Sequence, residues 1–195
     1  CRQNFHITVT DGYWNQGNPV YSGYNDTASR SLPDGLHAYT NGDPESAIFW
    51  NKTASAAGSC GTTAVCNPTY SDIGFNYWAR DLRPDLSNNV PPYFPDKTTG
   101  ITTGTVVPIG SITNPAAIKE IYFNPANDPA TWQHVVQFIV GVGVSGSLDS
   151  SNYDALRRGT LAWPGARQDS PQAIDDAWHA AINSRGQYFS AGDPQ

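Results

Sequence analysis

The sequence contains no methionine, and only 14% of its 195 residues are charged, against roughly 25% in an average soluble domain. So low a share of charge excludes a coiled coil, a charged helical bundle and a charged disordered tail. Because the chain begins at Cys1 and lacks methionine, we expect that a segment has been removed from its start, a signal peptide being one candidate.

Two further features are missing, namely a basic cluster and a long apolar run. Eleven Lys and Arg residues stand against 17 Asp and Glu, which gives a net charge of −6 and a pI near 4.9. No basic patch can neutralise a row of phosphates, so nucleic acid is not an expected partner. The longest apolar run, around 138–144, is strand-sized, well short of the ~18 residues of a membrane span.

What the sequence does contain is typical of one compact, loop-rich body. Apolar residues make up 38%, which is enough for a core. The 18 Gly, 15 Pro and 12% aromatic residues indicate long ordered loops fixed by aromatic side chains. We therefore predict a single domain over residues 1–195.

Three cysteines bear on the compartment. Cys60 and Cys66 enclose five small residues, a spacing that favours a short disulfide-closed loop over a zinc site, which would need further ligands. Cys1 is then either a free thiol or paired with a cysteine outside this chain, and we favour the second. This usage, with little Lys and abundant Asn, Ser and Thr, predicts an oxidising, extracytoplasmic setting.

Two segments predict β-strands. Phe5, Ile7 and Val9 alternate with polar residues and end at an Asp11-Gly12 turn. The segment 135–144 is almost continuously apolar and β-branched, which is typical of a strand covered on both faces in a parallel sheet.

Helices are predicted between and after these strands. Ser71 is a candidate N-cap for a helix that continues to Leu82, and Ser170 is one for a helix that ends near Arg185. Shorter helices are predicted over 44–52, after Asp43, and near 115–122, and a hairpin is predicted over 101–107. The order implies an α/β sheet of βαβ units, with functional loops at the carboxyl ends of the strands and insertions at about 13–68 and 84–131.

Four segments carry a resemblance to a known family. They are 4–15 (NFHITVTDGYWN), 77–90 (YWARDLRPDLSNNV), 131–148 (TWQHVVQFIVGVGVSGSL) and 174–191 (IDDAWHAAINSRGQYFSA). Together they resemble the PilY family of type IV pilus tip adhesins and pilus-biogenesis factors. The strand that ends in Thr10-Asp11-Gly12 also resembles the third metal-site loop of von Willebrand factor type A domains.

The resemblance implies a fold and a role. The chain would form the later half of a von Willebrand type A-like, Rossmann-like sheet, with the earlier strands supplied by another segment or a separate chain. It would be an extracellular, non-enzymatic adhesion and assembly module at a bacterial pilus tip. Its partners would be minor pilins or other tip components, and a host or abiotic surface.

The resemblance also implies part of a metal site. In type A domains an Asp after this strand shares a divalent cation with an Asp-x-Ser-x-Ser loop and a Thr, and Asp11 matches only the first of these. We therefore expect no cofactor within this chain alone, and Mg²⁺ or Ca²⁺ only if the missing part is present. The alternative is that Asp11 forms its own turn by bonding nearby backbone amides.

Two other hypotheses come from different classes of protein. Tyr13 and Trp14, with Tyr21, Tyr24 and Tyr39, are candidate stacking platforms for sugar rings, although anchoring the loops is their commoner role. Asp175 and His179 stand at i, i+4 on a predicted helix and form a candidate acid/base pair for a hydrolase. A local hydrogen bond that supports the core is the alternative there.

Overall fold

The computed structural model describes residues 3–14, 26, 28–40, 43–50, 68–95 and 115–192. The predicted Cys60–Cys66 disulfide, Cys1, Tyr21, Tyr24 and the predicted hairpin over 101–107 lie outside the described residues. Within the described ranges the fold is α/β, with a parallel sheet and a small antiparallel strand pair.

Three parallel strands form the main sheet of the described residues. They are β1 (Asn4–Thr10), β4 (Val135–Val142) and β5 (Tyr188–Ala191), with β4 in the centre and β1 at one edge. Ile7 aligns with Phe138, and Tyr188 aligns with Ile139. Both predicted strands are confirmed. A second pair, β2 (Arg30–Ser31) and β3 (Ala38–Tyr39), is antiparallel and lies in the first predicted insertion.

Two helices cover one face of this sheet. Helix α1 (Tyr70–Trp78) and helix α4 (Gln172–Asn183) pack against each other and against β4. Their approach is close at Gly74, where an added Cβ would lie 2.9 Å from the carbonyl oxygen of Ala180. Below them, Ile139 of β4 is fully buried among alanines of α4.

The predicted start of α1 is wrong by two residues. The N-cap is Thr69 and not Ser71, because the Thr69 hydroxyl accepts the Asp72 amide while the Asp72 carboxylate accepts the Thr69 amide. This reciprocal capping box satisfies two amides at once, which a cap at Ser71 cannot do. The helix also ends at Trp78 and does not reach Leu82.

The predicted N-cap of α4 is wrong as well. The helix begins at Gln172 after Pro171, and no side chain caps its first turn. The Ser170 hydroxyl donates instead to the Arg167 carbonyl oxygen at 2.9 Å. At the other end Arg185 adopts a left-handed φ of 64°, and the Gly186 amide bonds back to Ala181. That C-terminal end agrees with the prediction.

The remaining helices are short. A 3-10 helix over Pro44–Phe49 follows Asp43, whose carboxylate accepts the Glu45 amide, as the sequence predicts. Helix α2 (Pro115–Phe123) is also confirmed. A second 3-10 helix (Ser150–Asn152) leads into α3 (Tyr153–Arg157). Among the described helices, none has the length and apolar character needed to cross a bilayer.

The main core is aromatic and lies beside α1, away from the sheet centre. Trp78 contacts Trp132 edge-to-face at 5.5 Å, and the Trp132 indole donates to the Trp78 carbonyl oxygen at 2.7 Å. Tyr39 is fully buried here, so it anchors the loop and is not a sugar platform. The largest fully buried side chains also include Trp50, Trp163, Tyr122, Phe49 and Phe75.

The second face of the sheet differs from the prediction. Residues of β4 on the α1/α4 side are buried, whereas on the opposite side Val136 is buried but Phe138, Val140 and Val142 are only half-buried. On β1 the side chains of Phe5 and Ile7 are 57% and 67% exposed. The expectation that β4 is covered on both faces is therefore wrong for the described residues. We call the side formed by Phe5, Ile7, Val9, Phe138, Val140 and Phe189 the open face.

Candidate functional site at the carboxyl ends of the strands

Two loops meet where β1 and β4 end. Residues 11–14 follow β1 and residues 143–149 follow β4, and parallel pairing brings both loops to one edge. The Tyr13 hydroxyl donates to the Ser145 carbonyl oxygen at 3.3 Å, which ties the loops together. This edge holds the predicted site residues Asp11, Tyr13 and Trp14.

The Asp11 carboxylate is free at this edge. Its residue is exposed, and no hydrogen bond or ion pair reaches it from the described residues. Thr10 makes the turn instead, since its hydroxyl donates to the Gly12 carbonyl oxygen at 2.9 Å. The alternative in which Asp11 bonds its own turn amides therefore does not hold.

Asp11 alone does not make a metal site. Within the part of the chain that the structure describes, no group of three carboxylate, imidazole or thiolate side chains could hold a metal ion. An accessible carboxylate at a strand end can supply one oxygen ligand to a hard cation, and further ligands would have to come from elsewhere. The predicted role of Asp11 stays a prediction.

Tyr13 and Trp14 differ in exposure. Tyr13 is 38% exposed, and its ring is accessible from solvent. Trp14 is half-buried, and its backbone carbonyl oxygen accepts the Asp169 amide at 3.1 Å. The indole Nε1 of Trp14 is buried without a hydrogen-bond partner. Of the two described aromatic residues in this loop, Tyr13 is therefore the one whose ring is exposed to a ligand.

Asp175 holds the loop after β4 in place. Its carboxylate accepts the amides of Ser147 (3.1 Å) and Leu148 (3.0 Å) and the Ser147 hydroxyl. Gly146 packs so closely on this carboxylate that a side chain there would collide with it. Burial raises the pKa of Asp175, and the three hydrogen bonds oppose that rise. Asp175 is thus a loop-positioning residue.

The predicted pair of Asp175 and His179 does not form. His179 is 1% exposed and stacks on Trp163 at 4.5 Å, and its Nε2 lies 3.7 Å from the Asp26 carboxylate. Burial lowers the pKa of His179 to about 3. A buried neutral imidazole without access to a cleft cannot act as a general base, so the hydrolase hypothesis loses its only support.

A buried polar layer between α1 and α4 was missed by sequence reasoning. The Asp176 carboxylate accepts the amides of Tyr70 (2.7 Å) and Ser71 (3.2 Å), the first two of α1. Asp26 binds the same region, since its amide donates to Asp72 at 2.7 Å and its carboxylate accepts Asn183 at 3.0 Å. The Thr-x-x-Asp pattern at 69–72 was the available sequence signal for this layer.

Comparison with known proteins adds a relationship over the whole chain. No protein-family model matches it, and no solved structure matches it significantly. Three curated proteins do, each named type IV pilus biogenesis factor PilY1, from Pseudomonas aeruginosa strains PAK, PAO1 and UCBPP-PA14. They are 37%, 36% and 34% identical over 203, 203 and 206 aligned positions.

This chain is related to the PilY family. The alignments cover 100% of the chain, so the relationship extends beyond the four segments that carry the resemblance. The chain spans only 14% to 15% of the length of these PilY1 proteins. What a whole PilY1 protein does is therefore a property of a much longer polypeptide.

Proposed function

We propose that this chain is a module of a type IV pilus biogenesis factor that acts outside the cell, at the pilus tip, in pilus assembly and surface attachment. The relationship to PilY1 over the full length of the chain carries this proposal. The module works by binding and not by catalysis. The hydrolase alternative finds no support, because Asp175 and His179 are engaged separately.

The loop edge at the carboxyl ends of the strands is the proposed contact surface for a tip component or a host or abiotic surface. Asp11 presents a free carboxylate there, and Tyr13 presents an exposed ring. Both stand on rigid supports, because β1 pairs with β4 along its whole length and the facing loop is held by Asp175. Binding residues on loops above a fixed scaffold are the usual arrangement in α/β proteins.

The test uses the longer protein in piliated cells. Removal of residues 1–195 should reduce the number of surface pili, and Asp11→Asn with Tyr13→Ala should reduce attachment while protein levels stay unchanged. Pilus counts by electron microscopy and an attachment assay measure the two effects. Ser87→Ala, on a loop that follows α1, serves as the control. If the longer protein is absent from sheared pili, the proposal is wrong.

We also propose that an earlier segment, on the same polypeptide or on a separate chain, adds strands beside β1. The crossovers β1 to β4 and β4 to β5 step across the sheet in one direction, and right-handed crossovers then place their helices on one face. Helices on the open face would require strands beyond β1, wound in the opposite direction. Such a segment would complete a type A-like sheet and bring further ligands to Asp11 for Mg²⁺ or Ca²⁺.

Hydrogen exchange tests this second proposal. The amides on the outer edge of β1 should exchange quickly in the isolated chain and at least about tenfold more slowly in the longer protein. The amides of β4 serve as an internal control, because they are paired in both forms. Equal exchange of β1 in the two proteins would exclude added strands.

A carbohydrate-binding function is the second candidate, and the exposed ring of Tyr13 is the observation that favours it. Tyr39, another candidate platform, is buried in the core. A glycan array with the purified chain tests this function, and Tyr13→Ala should abolish any hit. An array without hits removes the candidate.

A further inference from the structure

A cavity of about 720 Å³ lies away from the loop edge. It is bounded by residues near the starts of the three strands, by the segments 93–95 and 125–128, and by the end of α4. It shares Phe5 and Phe138 with the open face. Its volume falls within the range of roughly 300–1,000 Å³ that is typical of ligand sites.

The cavity wall is unusually rich in rings. Three aromatic residues from separate parts of the chain, Tyr93, Tyr153 and Trp178, line it with Pro95 and Pro125. Tyr93 is 50% exposed, while Tyr153 and Trp178 are half-buried, so the rings stand at different depths. Trp178 is fixed from behind by Trp163, edge-to-face at 5.1 Å. Such a wall favours an occupant with flat, apolar surfaces.

Several uncommitted side-chain polar groups of this wall can donate a hydrogen bond, and the tyrosine hydroxyls among them can also accept one. The hydroxyls of Tyr93 and Tyr153 and the indole N–H of Trp178 have no hydrogen-bond partner within the described ranges. Arg185 also lines the cavity, and its Nε is buried without a partner. The rest of its guanidinium is held between the rings of Phe49 and Trp78, at 4.0 Å and 4.1 Å.

Among the described residues of the wall, Asp128 has the one carboxylate, and it already has hydrogen-bond partners. Asp128 accepts the Trp78 indole at 3.0 Å and the Ala130 amide at 3.2 Å, and its other oxygen lies 2.9 Å from His134 Nε2. The remaining side-chain acceptors of the described wall are the amides of Gln3 and Gln187 and the hydroxyls of Tyr93, Tyr153 and Tyr188. Two groups can only donate, the indole N–H of Trp178 and the Nε–H of Arg185.

We propose that this cavity binds a proline-rich peptide segment in the polyproline II conformation. Such a segment offers flat pyrrolidine rings and carbonyl oxygens without hydrogen-bond partners, and its prolines bring no N–H donors. Aromatic-lined grooves that donate to these carbonyls recognise polyproline II in other proteins. A saccharide, whose hydroxyls both donate and accept, is the competing occupant that the experiment separates from it.

The experiment measures binding of acetylated, amidated hexaproline to the purified chain by tryptophan fluorescence and calorimetry. We expect saturable binding below about 1 mM peptide. Tyr93→Phe, Tyr153→Phe and Trp178→Phe keep a ring but remove a donor, so each should weaken binding about three- to tenfold. Tyr77→Phe, on α1 and outside the described lining of the cavity, is the matched control and should change nothing.

Four results would overturn the proposal: no saturable binding of hexaproline, equal binding of a Gly-Ser hexapeptide, binding of maltohexaose in its place, or an equal loss in Tyr77→Phe. Tyr93 is exposed, so Tyr93→Phe should fold normally, and the proposal can still be tested if Trp178→Phe does not fold. The measurement uses purified protein and needs no pilus. Its failure would therefore leave the proposed role in pilus assembly untouched.

Discussion

The two faces of the sheet are formed by the same strands, but they differ in how much of each face the rest of the chain covers. On one face Ile139 is fully buried, and Thr8 bonds the Tyr70 hydroxyl of α1 at 3.1 Å. On the open face Ile7 and Val9 are both 67% exposed, although they belong to the strand next to β4. The covered face thus carries polar residues on β1, and the exposed face carries apolar ones.

This reversed pattern of polar and apolar side chains on β1 is what a surface buried in an interface would show. A strand at the edge of a complete sheet usually shows polar or charged residues to solvent, which protects it from association. Here the order is reversed, with three large apolar side chains outside. Contiguous exposed apolar residues generally mark a site of interaction. The earlier segment proposed above would account for this pattern, because it would cover both the outer edge of β1 and the open face.

The strongest test of the comparison is a matched pair of substitutions. Ile139→Ala on the covered face should lower the free energy of unfolding by about 2–5 kcal/mol, because it leaves a cavity against α4. Ile7→Ala on the open face should change it by less than about 0.5 kcal/mol. Urea denaturation followed by circular dichroism measures both. A large loss in Ile7→Ala would mean that the open face is covered in the isolated chain.

The same two substitutions should have different effects on stability in the longer protein. There Ile7→Ala should become destabilising, since the added segment would bury that side chain. Ile139→Ala should cost about as much as before. If Ile7→Ala remains neutral in both proteins, the open face is not an internal interface.

Strands β1 and β4 and the helices at Pro44, α1, α2 and α4 could be predicted because their signals are local, whereas the short strands β2, β3 and β5 and helix α3 were not predicted. Alternation gave β1, the β-branched run gave β4, and the Asp43 cap preceded the short helix at Pro44 as expected. The start of α1 was missed since Thr69 and Ser71 are both good caps, and only the reciprocal bond with Asp72 decides between them.

The site could be predicted only in part, because some of its contacts join residues that are far apart in the sequence. Asp11 and Tyr13 were found from the turn after β1, and they do lie at the carboxyl edge. The pairing of Asp175 with His179 failed because helical spacing cannot tell which neighbour a side chain bonds. Their partners, Ser147 and Asp26, lie 28 and 153 positions away along the chain, and only folding brings them together.

The polar layer under the covered face predicts opposing responses to pH. Burial raises the pKa of Asp176 from 3.8 to about 6, so its stabilising contribution is present below pH 3.8 and is lost as the pH rises through 6. Burial lowers the pKa of His179 from 6.5 to about 3, so its contribution is present above pH 6.5 and is lost as the pH falls. Between pH 4 and 6 the two effects offset each other.

Substituting Asp176 and His179 one at a time should reveal the pH dependence of the free energy of unfolding that each of them contributes. In Asp176→Asn the free energy of unfolding should fall more steeply on acidification from pH 6 to 4, by up to about 1.4 kcal/mol per pH unit. In His179→Gln it should fall less steeply or rise. Urea midpoints at pH 4, 5 and 6 measure the slopes against the unmodified chain. Parallel slopes in all three proteins would show that neither group titrates as its burial implies.

At the loop edge we expect a smaller effect from Asp175→Ala. The change removes an acceptor for two amides and a hydroxyl of the loop after β4, which should cost about 1–3 kcal/mol. The loss should be local, with faster hydrogen exchange at Ser147 and Leu148 but not at β4. Asp154→Ala, whose exposed carboxylate makes, among the described residues, only an ion pair of 4.0 Å with Arg158, is the matched control. A uniform rise in exchange across the sheet would contradict a role confined to the loop.

The smallest expected effect belongs to Tyr13→Phe. Its hydroxyl makes one exposed hydrogen bond to Ser145, so the free energy of unfolding should change by no more than about 0.5 kcal/mol. The ring remains, and with it the apolar contact that a surface ligand would use. Attachment by the longer protein should therefore survive Tyr13→Phe and fall with Tyr13→Ala. If Tyr13→Phe abolishes attachment, the hydroxyl and not the ring is the binding group, and the edge works through hydrogen bonding instead of ring contact.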